Sequence, residues 1–126
     1  MQKAVANERQ TTISDEERLA RLRLIRSDTI GSVTFWALIN RFGNAREAIA
    51  AIKPKPLASL DQARRELDAL HGAGGTLIAC GELNYPPALA AVDVPPPLLS
   101  VRGSLKCLMR EMVAIVGARN ASALGN

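Results

Sequence analysis

The chain has 126 residues, of which 48% are hydrophobic and 22% charged, and its formal net charge is +4. That length suits one ordinary domain or two very small ones, and the apolar fraction is typical of a globular chain rather than a disordered one. No apolar run approaches the ~20 residues that a membrane-spanning helix needs. The polar N-terminus lacks the apolar segment of a secretory signal, so we expect a cytoplasmic protein.

The cysteine and histidine content argues against a metal site and a disulfide framework. Cys80 and Cys107 are far apart without Cys-x-x-Cys spacing, and the single histidine, His71, has no His or Cys neighbour to share a metal ion. Zinc sites and disulfide frameworks use more ligands than these. We therefore expect two reduced thiols and no metal.

The positive charge is spread along the chain. Residues 1–75 hold twelve Lys and Arg against nine Asp and Glu, and residues 76–126 hold four against three. A net positive charge permits a polyanionic partner, but neither half is a polycationic arm, so charge alone identifies no partner.

Capping residues and apolar spacing predict a disordered tail over residues 1–13 and a helical module over residues 14–75. Gly43 is expected to adopt the left-handed conformation that follows many helices. The four predicted helices run from Ser14 to about Arg26, from Val33 to Phe42 after a cap at Ser32, from Ala45 to Ile52 after a cap at Asn44, and from about Leu60 to His71 after a capping box at Ser59. The apolar side chains expected to face inward are Leu19, Leu22, Ile25, Phe35, Leu38, Ile39, Phe42, Leu60, Ala63, Leu67 and Leu70.

Residues 76–126 have a different character and are typical of the opening of an α/β domain. Short apolar runs predict strands at Thr76–Cys80, Leu98–Arg102 and Met112–Val116, and Tyr85–Leu89 predicts a turn into a short helix. Met112–Val116 is apolar throughout rather than alternating, which is typical of a strand covered on both faces in a parallel sheet.

The loop after the last predicted strand has the features of a phosphate site. Gly117 permits a tight turn and a close approach of an anion to backbone amides, Arg119 supplies a fork-shaped donor, and Ser122 supplies a hydroxyl. The pattern is neither a dinucleotide fingerprint, since Arg119 stands where the second glycine would be, nor a Walker motif. From spacing alone, a plain turn at Gly117, a capping role for Ser122 and a solvated Arg119 remain an equal alternative.

The helical half offers weaker candidates for nucleic-acid binding. Four arginines crowd the first helix, and a solvated face interleaved with acids is favoured over a nucleic-acid stripe. The segment from Gly31 to Gly43 resembles a helix-hairpin-helix arrangement, for which a packing or partner-binding role is favoured over DNA contact. Trp36 and Tyr85 are too few for a base-stacking platform, so recognition of a phosphate backbone is expected. The four arginines are Arg18, Arg21, Arg23 and Arg26.

Several segments together resemble the DprA/Smf family of DNA-processing proteins. They are Leu-Ile-Asn-Arg-Phe-Gly at 38–43, Tyr-Pro-Pro-Ala-Leu at 85–89, Pro-Pro-Pro-Leu-Leu-Ser-Val-Arg-Gly at 95–103 and Val-Ala-Ile-Val-Gly-Ala-Arg-Asn-Ala-Ser at 113–122. The resemblance implies a SAM-like helical module over 14–75, followed over 76–126 by the start of a Rossmann-like parallel α/β domain. Because a doubly wound sheet needs several more strand–helix units, we expect that domain to be truncated here.

The resemblance also implies a function. Members of this family bind single-stranded DNA without a dinucleotide cofactor, act as homodimers, and hand incoming DNA to the RecA recombinase during natural transformation. By position, Gly117, Arg119 and Ser122 fall in the family's loop at the DNA phosphate pocket, and Gly125 matches the glycine shortly after it.

We therefore hypothesise a non-enzymatic protein that binds single-stranded DNA, with no cofactor. No pair of nucleophile and base suggests catalysis. Two alternatives stay open, namely a Rossmann-like enzyme that processes nucleotide phosphates through the same loop, and a helical module that binds a protein.

Overall fold

The structure, a computed structural model, describes residues 13–52, 57–111 and 115–116. Four helices come first, a two-stranded sheet follows, and a short helix lies between its strands. In chain order the elements are α1 (Asp15–Ile25), α2 (Ser32–Phe42), α3 (Ala45–Ile52), α4 (Leu60–Gly72), β1 (Gly75–Ala79), α5 (Pro87–Ala90), β2 (Leu98–Arg102) and a 3₁₀ helix (Leu105–Met109).

Local capping explains where three of the helices begin. The Ser14 hydroxyl accepts a hydrogen bond from the third residue of α1 at 3.1 Å, and Asn44 does the same for α3 at 2.8 Å. Ser59 and Gln62 form the predicted reciprocal capping box of α4. The predicted cap at Ser32 is wrong, because Ser32 is already the first residue of α2 and Gly31 precedes it without a side-chain cap.

Helix α1 lies at the centre of the fold and belongs to both apolar clusters. One cluster joins α1 to α2 and α3 around Leu24 and Phe35, both fully buried. The other joins α1 to α4 and β1 through Leu22, Ala63 and Leu77. The sheet is thus packed on the helical half, and the core crosses the predicted domain boundary at residue 75.

Most of the predicted inward face of α4 is correct, but its first residue is not. Ala63 is buried and Leu67 and Leu70 pack on the second cluster, whereas Leu60 is 40% exposed. Leu60 is the first residue of the helix and its side chain lines a groove beside α1 rather than the core.

The sheet consists of β1 and β2, which pair antiparallel with Gly75 opposite Arg102 and Ala79 opposite Leu98. Both strands were predicted, the first displaced by one residue. A Cβ at Gly75 would clash with Leu70 Cδ1, so the Leu70 side chain would have to move to accept any other residue there. The structure confirms a helical half and a small sheet, and the parallel Rossmann-like sheet remains a prediction.

The predicted third strand differs from expectation in the part that the structure describes. Residues 112–114 lie outside the described residues, while Ile115 and Val116 have no strand assignment and are 94% and 92% exposed. The prediction of a strand covered on both faces is wrong for these two residues, because no other described segment covers them.

The last residue of the predicted tail is anchored. The backbone amide of Ile13 donates to Glu82 Oε2 at 3.4 Å, so residue 13 belongs to the folded part. The rest of the predicted tail, residues 1–12, lies outside the described residues.

Candidate nucleic-acid interface

The predicted phosphate-binding residues lie outside the part of the chain that the structure describes. They are Gly117, Arg119, Ser122 and Gly125. Their proposed contact with a phosphate therefore stays a prediction. The described residues show whether other groups that could bind an anion, namely helix-start amides and arginines, are already engaged within the fold.

The turn between α2 and α3 is the place where a helix-hairpin-helix arrangement would hold a phosphate. Gly43 ends α2 with a φ of +94°, and its amide donates to Ile39 O at 2.7 Å. Asn44 follows and α3 begins at Ala45. A helix start of this kind presents unpaired amides and the positive end of the helix dipole, both of which attract an anion.

A buried carboxylate already occupies this helix start. Glu17 Oε2 accepts from the Ala45 amide at 2.7 Å, and Glu17 Oε1 accepts from the Arg46 amide at 3.3 Å. The third amide, of Glu47, donates to Asn44 Oδ1. Because Glu17 is only 8% exposed, an external phosphate cannot reach these amides without displacing it. These amides are therefore engaged within the fold, and the packing or partner-binding role that the sequence favours over DNA contact stays a prediction.

The arginines of α1 are largely used within the fold. Arg18 donates to Asp15 at 2.7 Å and to Glu82 at 2.6 Å, and Arg26 pairs with Glu66 at 2.7 Å. The side chains of Arg18 and Arg21 are only 13% and 10% exposed, so the predicted solvated face is wrong for both. The reason is tertiary, because the segment after β1 packs on α1 and presents oxygens to the two arginines.

Arg21 is the central residue of this contact. Its Nη1 donates to Cys80 O at 3.0 Å and to Pro97 O at 3.4 Å, and its Nε lies 3.6 Å from Glu17 Oε2. The guanidinium also stacks over the Phe35 ring at 5.6 Å from its centroid. Burial lowers the Arg21 pKa and the Glu17 carboxylate opposes that shift. An arginine nevertheless stays protonated in proteins, so this is a buried cation.

The proline segment 95–97 is held by one side-chain donor for each carbonyl. Pro95 O accepts from Trp36 Nε1 at 2.7 Å, Pro96 O accepts from the Tyr85 hydroxyl at 2.7 Å, and Pro97 O accepts from Arg21. Sequence reasoning missed this contact. The sequence shows only that these prolines carry carbonyl acceptors and no N–H donors, and the donors come from residues that the tertiary fold brings near.

These contacts leave few groups for base stacking. The polar tips of Trp36 and Tyr85 are committed to the proline segment, and Tyr85 is 3% exposed. Burial, and secondarily Cys80, raises the pKa of Tyr85 to about 12. Both side chains thus have a role within the fold, and the expectation that base stacking has few residues to use stays a prediction.

The described residues hold neither a metal cluster nor a membrane-spanning helix. Nowhere in residues 13–52, 57–111 and 115–116 do three or more His, Cys, Asp or Glu side chains group as a metal would require. Among the helices of the described part, none is long and apolar enough to cross a membrane.

Comparison with known families gives two matches in chain order. Residues 15–69 match the family model described as the DprA-like N-terminal HHH domain. Residues 76–126 match the family model described as DNA recombination-mediator protein A. The first match runs from the start of α1 into α4, and the second begins within β1 and includes the predicted phosphate loop. No curated protein matches the chain.

Proposed function

Because the chain belongs to the DprA/Smf family and matches its N-terminal portion, we propose that it binds single-stranded DNA as a recombination mediator. The matched domains imply a role in DNA processing or recombination. The observation that carries the proposal is the match over residues 76–126, because this segment contains the predicted phosphate loop.

In the proposed site, Arg119 supplies positive charge to a backbone phosphate and Gly117 lets that phosphate approach the amides. Ser122 and the following amides complete the anion site, and Gly125 lies next to it. Such a site contacts phosphate rather than base edges, so it carries little sequence preference.

The described residues support placing DNA at this loop rather than at the start of α3. Glu17 fills the amides at the start of α3, and Arg18 and Arg21 are engaged with oxygens of the chain itself. A phosphate backbone would have to break these contacts to bind there.

We further propose, from the family resemblance, that the full protein acts as a homodimer in the cytoplasm and passes the DNA to the RecA recombinase. The role is one of protecting and handing over DNA during natural transformation, without catalysis. No cofactor is required for it.

The proposal is tested by fluorescence anisotropy of a labelled single-stranded oligonucleotide titrated with the chain at several salt concentrations. We expect binding that weakens as salt rises, because phosphate contacts release counterions. A duplex of the same sequence should compete less well. Failure to bind at low salt would contradict the proposal. Stabilisation by a nucleoside monophosphate, without preference for long strands, would instead favour the enzyme alternative.

A further inference from the structure

A groove of about 240 Å³ lies beside α1, between α3 and α4. It exists because α3 and α4 each pack on α1 and, among the described residues, do not pack closely on each other. Its lining is Glu16, Leu19, Ala20, Arg23, Arg46, Ile49, Leu60 and Arg64.

Each of the three helices brings one arginine to this groove. Arg23 comes from α1, Arg46 from α3 and Arg64 from α4, against a single carboxylate, Glu16, so the lining has an excess of two positive charges. Arg64 is exposed, and no carboxylate of the described residues lies within ion-pair distance of it.

The other two arginines retain donors for a ligand. Arg23 uses Nε on Ala58 O at 3.0 Å, which is one of the five donors of a guanidinium. Arg46 lies 3.5 Å from Glu16 and 3.7 Å from Glu17, which are ion pairs without a short hydrogen bond. The planar guanidinium group of arginine binds a carboxylate well, because its parallel N–H donors can reach both carboxylate oxygens.

The floor of the groove is apolar. Leu60, which is 40% exposed, lines the groove together with Leu19 and Ile49. Leu60 and Arg64 are four residues apart on α4 and so share one face of that helix. An apolar anchor beside guanidinium groups suits a peptide that carries both an apolar side chain and carboxylates.

Nucleic acid fits this lining less well. None of the described residues lining the groove is aromatic, so a base has no ring on which to stack. The larger cavity of about 510 Å³ on the other side of α4 does not share the charge excess, because its Arg26 and Arg65 are balanced by Asp28 and Glu66.

We propose that the groove between α3 and α4 binds an acidic peptide segment of a partner protein, with its carboxylates on Arg23, Arg46 and Arg64 and an apolar side chain against Leu60. The groove lining includes none of the proposed DNA-binding residues, and the proposal does not rest on them.

The test uses a labelled peptide of sequence Asp-Asp-Asp-Asp-Leu-Leu, titrated with the chain and followed by fluorescence anisotropy. Arg64→Glu is expected to weaken binding about tenfold or more, because it places a carboxylate against carboxylates. Arg65→Glu is the matched control, since it makes the same charge change one residue along α4, outside the groove.

The expected pattern is binding by the unchanged chain, a large loss in Arg64→Glu and little change in Arg65→Glu. Asp-Asp-Asp-Asp-Ser-Ser should bind more weakly than the leucine peptide, because the floor is apolar. Equal effects of the two substitutions, or no peptide binding at low salt, would overturn the proposal. A labelled DNA strand that loses affinity selectively in Arg64→Glu would overturn it in favour of nucleic acid. Arg119→Ala should leave peptide binding unchanged, which separates this proposal from the DNA proposal.

Discussion

At the scale of single residues, Glu17 determines whether an anion from outside can reach the amides at the start of α3. By sequence it is a first-turn acid of α1, where acids are ordinarily explained by the helix dipole. In the fold it caps a different helix, α3, and contacts Arg21 and Arg46. An internal carboxylate thus occupies the place that a DNA phosphate would take in a helix-hairpin-helix element.

We predict that Glu17→Ala lowers the free energy of unfolding by about 3–5 kcal/mol. This is the cost of breaking a buried ion pair and leaving its partner, here Arg21, charged and without a carboxylate. Glu16→Ala is the control. Glu16 also pairs with Arg46, at 3.5 Å, but its side chain is 80% exposed. Urea denaturation of both variants measures the difference. Equal losses in the two would contradict the assigned role of Glu17.

The two cysteines differ in environment. Burial raises the pKa of the Cys80 thiol, which is half-buried at the end of β1, whereas Cys107 is exposed. The thiolate is the reactive form, so a raised pKa and reduced access both slow alkylation. We predict that iodoacetamide at neutral pH modifies Cys107 first, as followed by peptide mass spectrometry. Faster labelling of Cys80 in the native protein would show that its surroundings are wrongly described.

At the scale of elements, the proline segment 95–97 fastens the sheet to the helices. Its three carbonyl oxygens accept hydrogen bonds from Trp36 of α2, from Arg21 of α1 and from Tyr85 in the turn before α5. Because the donors come from separate elements, loss of any one loosens the contact between the helical half and β2.

The single tyrosine makes this contact measurable by pH. The pKa of Tyr85 is about 12 in the fold, above its ordinary value of 10.0, because of burial and then Cys80. The folded state therefore holds this proton more tightly than the unfolded state. Its contribution to stability is present below about pH 10 and is lost as the pH rises towards about 12.

We predict that tyrosinate absorbance of the native protein develops near pH 12 rather than near 10. Tyr85→Phe should remove this alkaline loss of stability and lower the free energy of unfolding at neutral pH by about 0.5–1.5 kcal/mol, the value of one hydrogen bond. Ultraviolet titration and urea denaturation check the two parts. A native titration near the ordinary tyrosine value would mean that Tyr85 is not buried beside Cys80.

At the scale of the whole molecule, sequence reasoning succeeded where the determinants are local. Three helix starts were predicted correctly from the capping residues Ser14, Asn44 and Ser59. Strand β2 was predicted correctly from the apolar run 98–102. The family resemblance rested on ordered motifs and was confirmed by the two matches.

Reasoning from the sequence failed where the outcome depends on distant partners. The arginines of α1 follow the acids of its first turn, which is compatible with a solvated helix, and the burial of Arg21 depends on the return of the chain at Cys80 and Pro97. For the same reason the antiparallel pairing of β1 with β2 was not predictable from either strand alone. The phosphate loop remains a prediction because its residues lie outside the described part.

The central claim is that single-stranded DNA contacts the loop at 117–122 and not the helical hairpin. The most direct test compares the salt dependence of oligonucleotide affinity in Arg119→Ala and Arg41→Ala, since Arg41 is an exposed arginine beside the α2–α3 turn. We predict weaker binding and a salt slope lower by about one unit for Arg119→Ala, with Arg41→Ala close to the unchanged chain. The reverse pattern, with Arg41→Ala losing affinity and slope while Arg119→Ala does not, would contradict the claim.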